Sequence, residues 1–128
     1  MKTIRQTIFF KSPPFEVYEA LMDSAKHSKF TGAKAEISRK EAEVFTAYDR
    51  YIEGVNIDLV PGKRIVQEWR GSDWPEGHYS TVTFDLKDIG WGTKLVFTQT
   101  EVPDEHAEAI SQGWKEHYWD KLKPFLEK

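Results

Sequence analysis

Hydrophobic and polar residues alternate along most of the chain, and a period of two predicts a protein dominated by β-strands. Residues 3–10 place Ile4, Ile8 and Phe10 on one side of the first strand and polar side chains on the other. The same period recurs from about residue 35 to residue 102. Its separators are Pro61-Gly62, the stretch from Gly71 to Gly77, and Gly90-Trp91-Gly92. Short connections of this kind predict antiparallel strands that are neighbours in the sheet.

The second region contains several alternating runs. They cover residues 44–48, 55–59, 63–70, 78–87 and 93–102. In the run at 55–59, Val55, Ile57 and Leu59 share one face and Asn56 and Asp58 share the other. In the run at 63–70, an inward Trp69 would leave its neighbour Glu68 in solvent.

Two short helices are predicted between the first strand and this region. Ser12-Pro13-Pro14 is typical of a helix start, because serine can cap free amides and proline suits the first turn. In the helix that follows, Phe15, Tyr18 and Met22 fall on one stripe. A second helix is expected from Ser24 to Phe30, with Gly32 as its terminator.

The last segment, residues 104–126, has the period of a long amphipathic helix, with Asp104 as a plausible cap. Its apolar stripe is Ala107, Ile110, Trp114, Tyr118, Leu122 and Phe125. Trp119 lies on the flank of the stripe and could face a partner. Gly113 lies at its edge, where glycine provides either close packing, the favoured interpretation, or room for a ligand.

This order of elements predicts an α+β fold. A curved antiparallel sheet of about six strands wraps around the long C-terminal helix, and two short helices follow the first strand. The 128 residues and 14.9 kDa are the size of one domain, so we expect a single domain over 1–128.

Composition narrows the classes of function. The chain has no cysteine, which excludes disulfides, thiolate metal sites and a cysteine nucleophile. A net charge of −3 makes nucleic-acid binding an unlikely function, and no apolar run approaches the length of a membrane span. We therefore expect a cytoplasmic protein that binds neither nucleic acid nor membrane.

No motif for catalysis or for a cofactor is present. The four histidines lack metal-ligand spacing, and there is neither a Gly-x-Ser-x-Gly elbow nor a phosphate-binding glycine loop. His117 lies beside the helical stripe and could face the cavity as a proton donor, but a packed or surface histidine is the favoured interpretation. The sequence thus predicts a non-catalytic protein without metal or cofactor.

Four pieces of sequence, taken together, carry a family resemblance. They are Leu59-x-Pro61, Ile65-Val66-x-x-Trp69-Arg70, Trp74-Pro75-x-Gly77 and Gln112-Gly113-Trp114. In this order they resemble the activator of heat-shock protein 90 ATPase homologue family, in its C-terminal-type domain. That resemblance implies the helix-grip fold of the START-like (SRPBCC) superfamily. The resemblance also implies that the eukaryotic co-chaperones of the family have a separate N-terminal domain that makes the main chaperone contact, and we expect residues 1–128 not to include that domain.

Three functions remain open. The first is binding of a small apolar or amphipathic ligand between the sheet and the C-terminal helix. Its predicted lining is Phe45, Trp69, Trp114 and Tyr118, with Trp74 as a lid. The second is a co-chaperone-like module that binds the heat-shock protein 90 chaperone, for which loop aromatics such as Trp91 would form a partner surface. The third and weaker one is a START-like enzyme. The sequence assigns no oligomeric state.

Overall fold

The computed structural model describes residues 1–127. The strands are β1 (Lys2–Phe10), β2 (Glu36–Ile37), β3 (Val44–Ala47), β4 (Ile52–Val60), β5 (Arg64–Gly71), β6 (Ser80–Asp88) and β7 (Thr93–Val102). The helices are α1 (Pro14–Met22), α2 (Ser24–Thr31), α3 (Asp104–Gly113), a π-helical turn (Trp114–Trp119) and α4 (Asp120–Leu126).

The strands form one antiparallel sheet in the order β1-β7-β6-β5-β4-β3-β2. From β3 to β7, strands that are consecutive in the sequence pair with each other, as the short connections predict. β1 pairs with β7 and forms one edge of the sheet. There are seven strands among the described residues and not about six. The additional strand, β2, is two residues long and therefore has no alternation from which it could be predicted.

The sheet curves around the C-terminal helix, so the predicted α+β architecture is confirmed. Trp114 on the helix packs against Phe97 of β7 with ring centroids 4.4 Å apart. The end of the chain is fastened to the β1–α1 junction, because the Ser12 hydroxyl donates to the carbonyl of Leu126 at 2.9 Å. These contacts hold the helix along the concave face of the sheet.

The periodicity predicts one continuous α-helix at the C-terminus, but the structure shows an interrupted one. A π-helical turn from Trp114 to Trp119 separates α3 from α4. Because a π-helical turn is wider than an α-helical turn, the side chains after it point in a different direction from the one that α-helical spacing predicts. Trp119 is consequently buried and does not lie on an exposed flank. Its indole Nε1 donates to Oε1 of Gln6 on β1 at 2.6 Å. Trp119 is therefore a core residue, and the expectation that it faces a partner is wrong.

The start of α1 also differs from its prediction. Ser12 does not cap the helix, whose N-cap is Pro13, because the serine hydroxyl is bonded to Leu126. Phe15 is 60% exposed, whereas Tyr18 and Met22 are buried. The helix thus buries a stripe that begins at Val17.

The second helix matches its prediction closely, since α2 ends at Thr31 and Gly32 follows with a φ of 79°.

A β-bulge in β4 breaks the expected alternation, so that Ile57 and Leu59 do not share one face and only Leu59 packs against the core. The register with β5 shifts between Asn56 and Asp58, which leaves Ile57 on the outside and Asn56 fully buried. The Asn56 amide donates to the carbonyls of Ser38 and Lys40, and its oxygen accepts from Gln67. A buried asparagine is stable here because its side chain holds the β2–β3 connection.

Candidate functional site

An open cleft with a volume of about 510 Å³ lies between the C-terminal helix and the end of the sheet. One wall comes from α3 and the π turn, and the other comes from the β3–β4 turn, β5 and the start of the β5–β6 connection. Its aromatic lining is Tyr48, Tyr51, Trp69, Trp114 and Tyr118. This size and these walls are typical of small-molecule sites.

The space enclosed between the sheet and the helix is much smaller. It has a volume of about 20 Å³, which is enough for about one water molecule. Trp69, Trp114 and Tyr118 line both this interior space and the outer cleft, so these three side chains form the partition. The interior space therefore has no room for a ligand larger than about one water molecule.

The five residues predicted as a ligand site are brought close together but do not form one wall. Trp69, Trp114 and Tyr118 line the cleft, whereas Phe45 lines the interior space and not the cleft. Trp74 lines neither. It is buried between Trp69, at a centroid distance of 5.4 Å, and the ring of His106, at 6.1 Å. A ligand-binding role for the five remains a prediction.

Tyr48 enters the cleft from a strained turn. Tyr48, Asp49 and Arg50 all have positive φ angles, of 52°, 55° and 73°. Side-chain-bearing residues rarely adopt this conformation, at a cost of about 1–2 kcal/mol each. Bonds between Asp49 and Lys34 hold the turn, since Asp49 N donates to the Lys34 carbonyl and Lys34 N donates to Asp49 Oδ1. Strain of this kind concentrates at functional sites.

The hydroxyl of Tyr48 is buried and has no hydrogen-bond partner among residues 1–127. Burial raises the pKa of Tyr48, so the hydroxyl is neutral at physiological pH. The ring contacts His117 edge-on at 5.4 Å and Tyr118 at 6.2 Å. Because the hydroxyl has no solvent-accessible surface, the ring of Tyr48 and not its hydroxyl lines the cleft.

The lining of the cleft also contains a group of polar side chains, Tyr51, Asp73 and His106. The hydroxyl of Tyr51 donates to Asp73 Oδ1 at 2.7 Å, and His106 Nδ1 lies 4.0 Å from Asp73 Oδ2. Burial, followed by the bond to Asp73, raises the pKa of Tyr51 to about 12. Tyr51 is therefore held as a neutral donor to an acidic group.

Gly113 opens the helical wall of the cleft. A Cβ atom added there would meet only His117 Cδ2, at 3.8 Å, which is an ordinary contact. Close packing, the favoured interpretation of this glycine, is therefore wrong. The alternative, that glycine leaves room in the cleft, agrees with its place in the lining.

A histidine that the sequence did not single out stands behind the partition. His27 Nδ1 lies 3.0 Å from the carbonyl oxygen of Leu21, and Nε2 lies 2.9 Å from the hydroxyl of Tyr118. Burial lowers the pKa of His27 to about 4. Burial also raises the pKa of Tyr118, with a further contribution from Tyr48. No motif links residues 91 positions apart, so only the fold could reveal this pair.

A buried polar relay supports the two tryptophans of the partition. Trp114 Nε1 donates to Gln99 Oε1 at 2.8 Å, and Gln99 Nε2 donates to Ser80 Oγ at 2.9 Å. The Ser80 hydroxyl in turn donates to the carbonyl of Trp69 at 2.8 Å. The relay fixes the Trp114 indole relative to β5, which makes the cleft wall rigid.

The most exposed aromatic side chain outside the helices and strands is Trp91. Trp91 is 61% exposed and stacks on Phe9, which is 46% exposed, with ring centroids 6.3 Å apart. We call Phe9 and Trp91 the aromatic surface pair. It lies at the β6–β7 turn, away from the cleft.

Neither a metal centre nor a membrane-spanning helix is found in residues 1–127. No group of three or more potential ligands from histidine, aspartate and glutamate could hold a metal ion in that part of the chain. Among the same residues, no helix combines the length and the apolar content that crossing a bilayer requires.

Comparison with known proteins decides the family. Residues 11–127 match the family model described as Activator of Hsp90 ATPase homolog 1-like protein. The chain belongs to this family. The resemblance carried by the sequence motifs is thereby confirmed. Relatives include the human Activator of 90 kDa heat shock protein ATPase homolog 1, which is 32% identical over 121 residues. The Dictyostelium discoideum homolog is 32% identical over 123 residues.

The match covers most of this chain but a small part of those relatives. It includes 94% of the chain and 35% of the human protein, and 95% of the chain and 32% of the Dictyostelium protein. The chain thus spans about a third of the length of these family members.

Solved structures confirm the fold. An HSP90 activator from Plasmodium falciparum superimposes with a TM-score of 0.92 at 24% identity, covering 99% of this chain and 97% of the other. A Chromobacterium violaceum protein superimposes with a TM-score of 0.83 at 25% identity, covering 98% and 97%. The helix-grip arrangement expected of the family is therefore the observed one.

Proposed function

We propose that this chain is a co-chaperone-like module that binds a heat-shock-protein-90-type chaperone and changes its ATPase rate, without catalysing a reaction of its own. The observation that carries the proposal is the match of 94% of the chain to relatives named as activators of that ATPase. The match covers about a third of those relatives, so the proposal is that this third is sufficient for a chaperone contact.

The aromatic surface pair is the contact surface that best fits this function. Trp91 and Phe9 are large apolar side chains held in a stack at the surface. Aromatic side chains of this kind are the residues that most often dominate the energy of protein interfaces. No core packing requires Trp91 to be a tryptophan, because most of its surface is in solvent.

Titration calorimetry with a purified chaperone, combined with its ATP turnover, tests the proposal. We expect heat of binding and a changed turnover rate, and we expect Trp91→Ala to weaken binding about tenfold or more. Val44→Ala is the matched control, because Val44 is also exposed but lies on β3, four strands from β7. Absence of both heat and a rate change would end the proposal. Equal losses in the two variants would exclude the aromatic surface pair.

Binding of a small ligand is a second candidate, favoured by the volume and aromatic walls of the cleft. Native mass spectrometry of the protein purified from its own cells tests it. A co-purifying mass that disappears when Gly113→Leu narrows the cleft would support the candidate. A bare protein mass that shows no shift with any added amphiphile would contradict it.

A further inference from the structure

We infer that the cleft recognises an organic cation on an apolar stem, that is, an alkylammonium or guanidinium group followed by hydrocarbon. The inference rests on the second candidate function, binding in the cleft, and names the chemistry of the occupant. Two features of the cleft carry it: the aromatic walls and the sign of the charges in its lining.

The charges of the lining are all of one sign. Asp73 and Glu116 are its carboxylates, and none of its residues is a lysine or an arginine. Neither carboxylate has a lysine or arginine partner within 4.0 Å among residues 1–127. Asp73 accepts from Tyr51, and Glu116 Oε1 accepts from the Gln112 amide at 3.0 Å. Asp73 also has His106 Nδ1 at 4.0 Å, but neither carboxylate has a lysine or arginine partner in the described part of the chain, so the negative lining attracts cations and disfavours anions.

The walls suit the same ligand. Five aromatic rings line the cleft, and the faces of tyrosine and tryptophan rings attract ammonium and guanidinium groups. The apolar stem would lie against Ile52 and Ile110, which are also in the lining.

The test compares three probes of equal chain length at pH 7.5: hexylammonium, hexanol and hexanoate. Binding is followed by the fluorescence of the wild-type tryptophans and by calorimetry. Because cation–π attraction and two carboxylates both favour the amine, we expect hexylammonium to bind about tenfold more tightly than hexanol. Hexanoate should bind most weakly.

Charge-neutral variants distinguish the contribution of the two carboxylates to binding from the contribution of the apolar walls. Asp73→Asn and Glu116→Gln should each weaken hexylammonium binding about threefold and leave hexanol binding unchanged. Glu108→Gln is the matched control, because this exposed glutamate lies on α3 outside the lining and should change neither affinity.

A tripeptide with a central lysine, and its lysine-acetylated counterpart, distinguish a free amine from the side chain of a partner. Binding of the lysine peptide alone or of hexylammonium alone supports the inference and assigns the source of the cation. Equal affinity for hexylammonium, hexanol and hexanoate would overturn the inference while leaving ligand binding intact. If none of the probes binds, both the inference and the candidate function of ligand binding are contradicted. The chaperone proposal is not affected, because it is tested by a separate assay.

Discussion

The hydroxyl of Tyr118 donates its proton to Nε2 of His27 inside the core. The direction follows from the other ring nitrogen, because the Leu21 carbonyl next to Nδ1 can only accept, so Nδ1 carries the ring proton. Tyr118 is also part of the partition between the interior and the cleft. The position of this aromatic wall therefore depends on a neutral histidine behind it.

Acidification should destabilise the protein through His27. The pKa of His27 is lowered to about 4 in the folded state by burial, whereas an unfolded histidine has a pKa of about 6.5. As the pH falls through 6.5, the unfolded state binds the proton and the folded state does not. Stability is therefore lost between about pH 6.5 and 4, amounting to about 2 kcal/mol at pH 5 relative to pH 7.5.

Urea unfolding at a series of pH values measures this effect. His27→Gln keeps a polar side chain at the site and removes the titration, so its free energy of unfolding should lack this step although it is lower at pH 7.5. The same pH dependence in wild type and variant would show that other groups are responsible.

Removal of two neighbouring tyrosine hydroxyls should have opposite consequences. Tyr118→Phe deprives His27 Nε2 of its donor in a buried setting, and we expect a loss of about 1–3 kcal/mol in the free energy of unfolding. Tyr48→Phe removes a buried hydroxyl that has no partner among the described residues, so stability should stay the same or rise. Chemical denaturation of both variants at pH 7.5 is the measurement. Equal destabilisation would contradict the hydrogen-bond assignment.

The fold could be predicted from the sequence because alternation and turn residues are local signals. The π turn could not, since its residues keep a helical spacing and only packing against Gln6 shows that Trp119 is buried. The burial of Asn56 could not be predicted for a similar reason. A bulge adds one unpaired residue to the strand and so moves the following side chains to the other face. The alternation of apolar and polar residues does not reveal such an insertion.

Of the residues that line the candidate site, only some of the aromatic ones could be predicted from the sequence. Trp69, Trp114 and Tyr118 follow from strand and helix periodicity, and all three line the cleft. Tyr48 reaches it through a turn of three left-handed residues that contains no glycine, so no turn signal marked it. Interactions between distant residues, such as His27 with Tyr118, arise only when the chain is folded.

The Gln99 relay should contribute strongly to stability. Replacing Gln99 by methionine keeps a similar volume but leaves Trp114 Nε1 without an acceptor and removes the donor to Ser80. An unsatisfied buried donor costs about 1–3 kcal/mol, so we expect a loss of that order in the free energy of unfolding. Thr100→Val, at the next position and on the other face of β7, is the control and should have a smaller effect. Comparable losses in the two variants would show that the relay adds nothing beyond strand packing.

Two glycines should respond in opposite ways to alanine. Gly113 has helical backbone angles and free space around its Cβ position, so Gly113→Ala should raise the free energy of unfolding by about 1 kcal/mol. At Gly54 the added Cβ would lie 1.9 Å from the Glu68 carbonyl oxygen and 2.7 Å from the Phe45 ring, so Gly54→Ala should be strongly destabilising. Thermal and urea unfolding of both variants measure this contrast. A destabilised Gly113→Ala would mean that the helix needs glycine for its own backbone. A stabilised one would show that glycine is kept there at a cost to stability, as expected where its small size holds the cleft open.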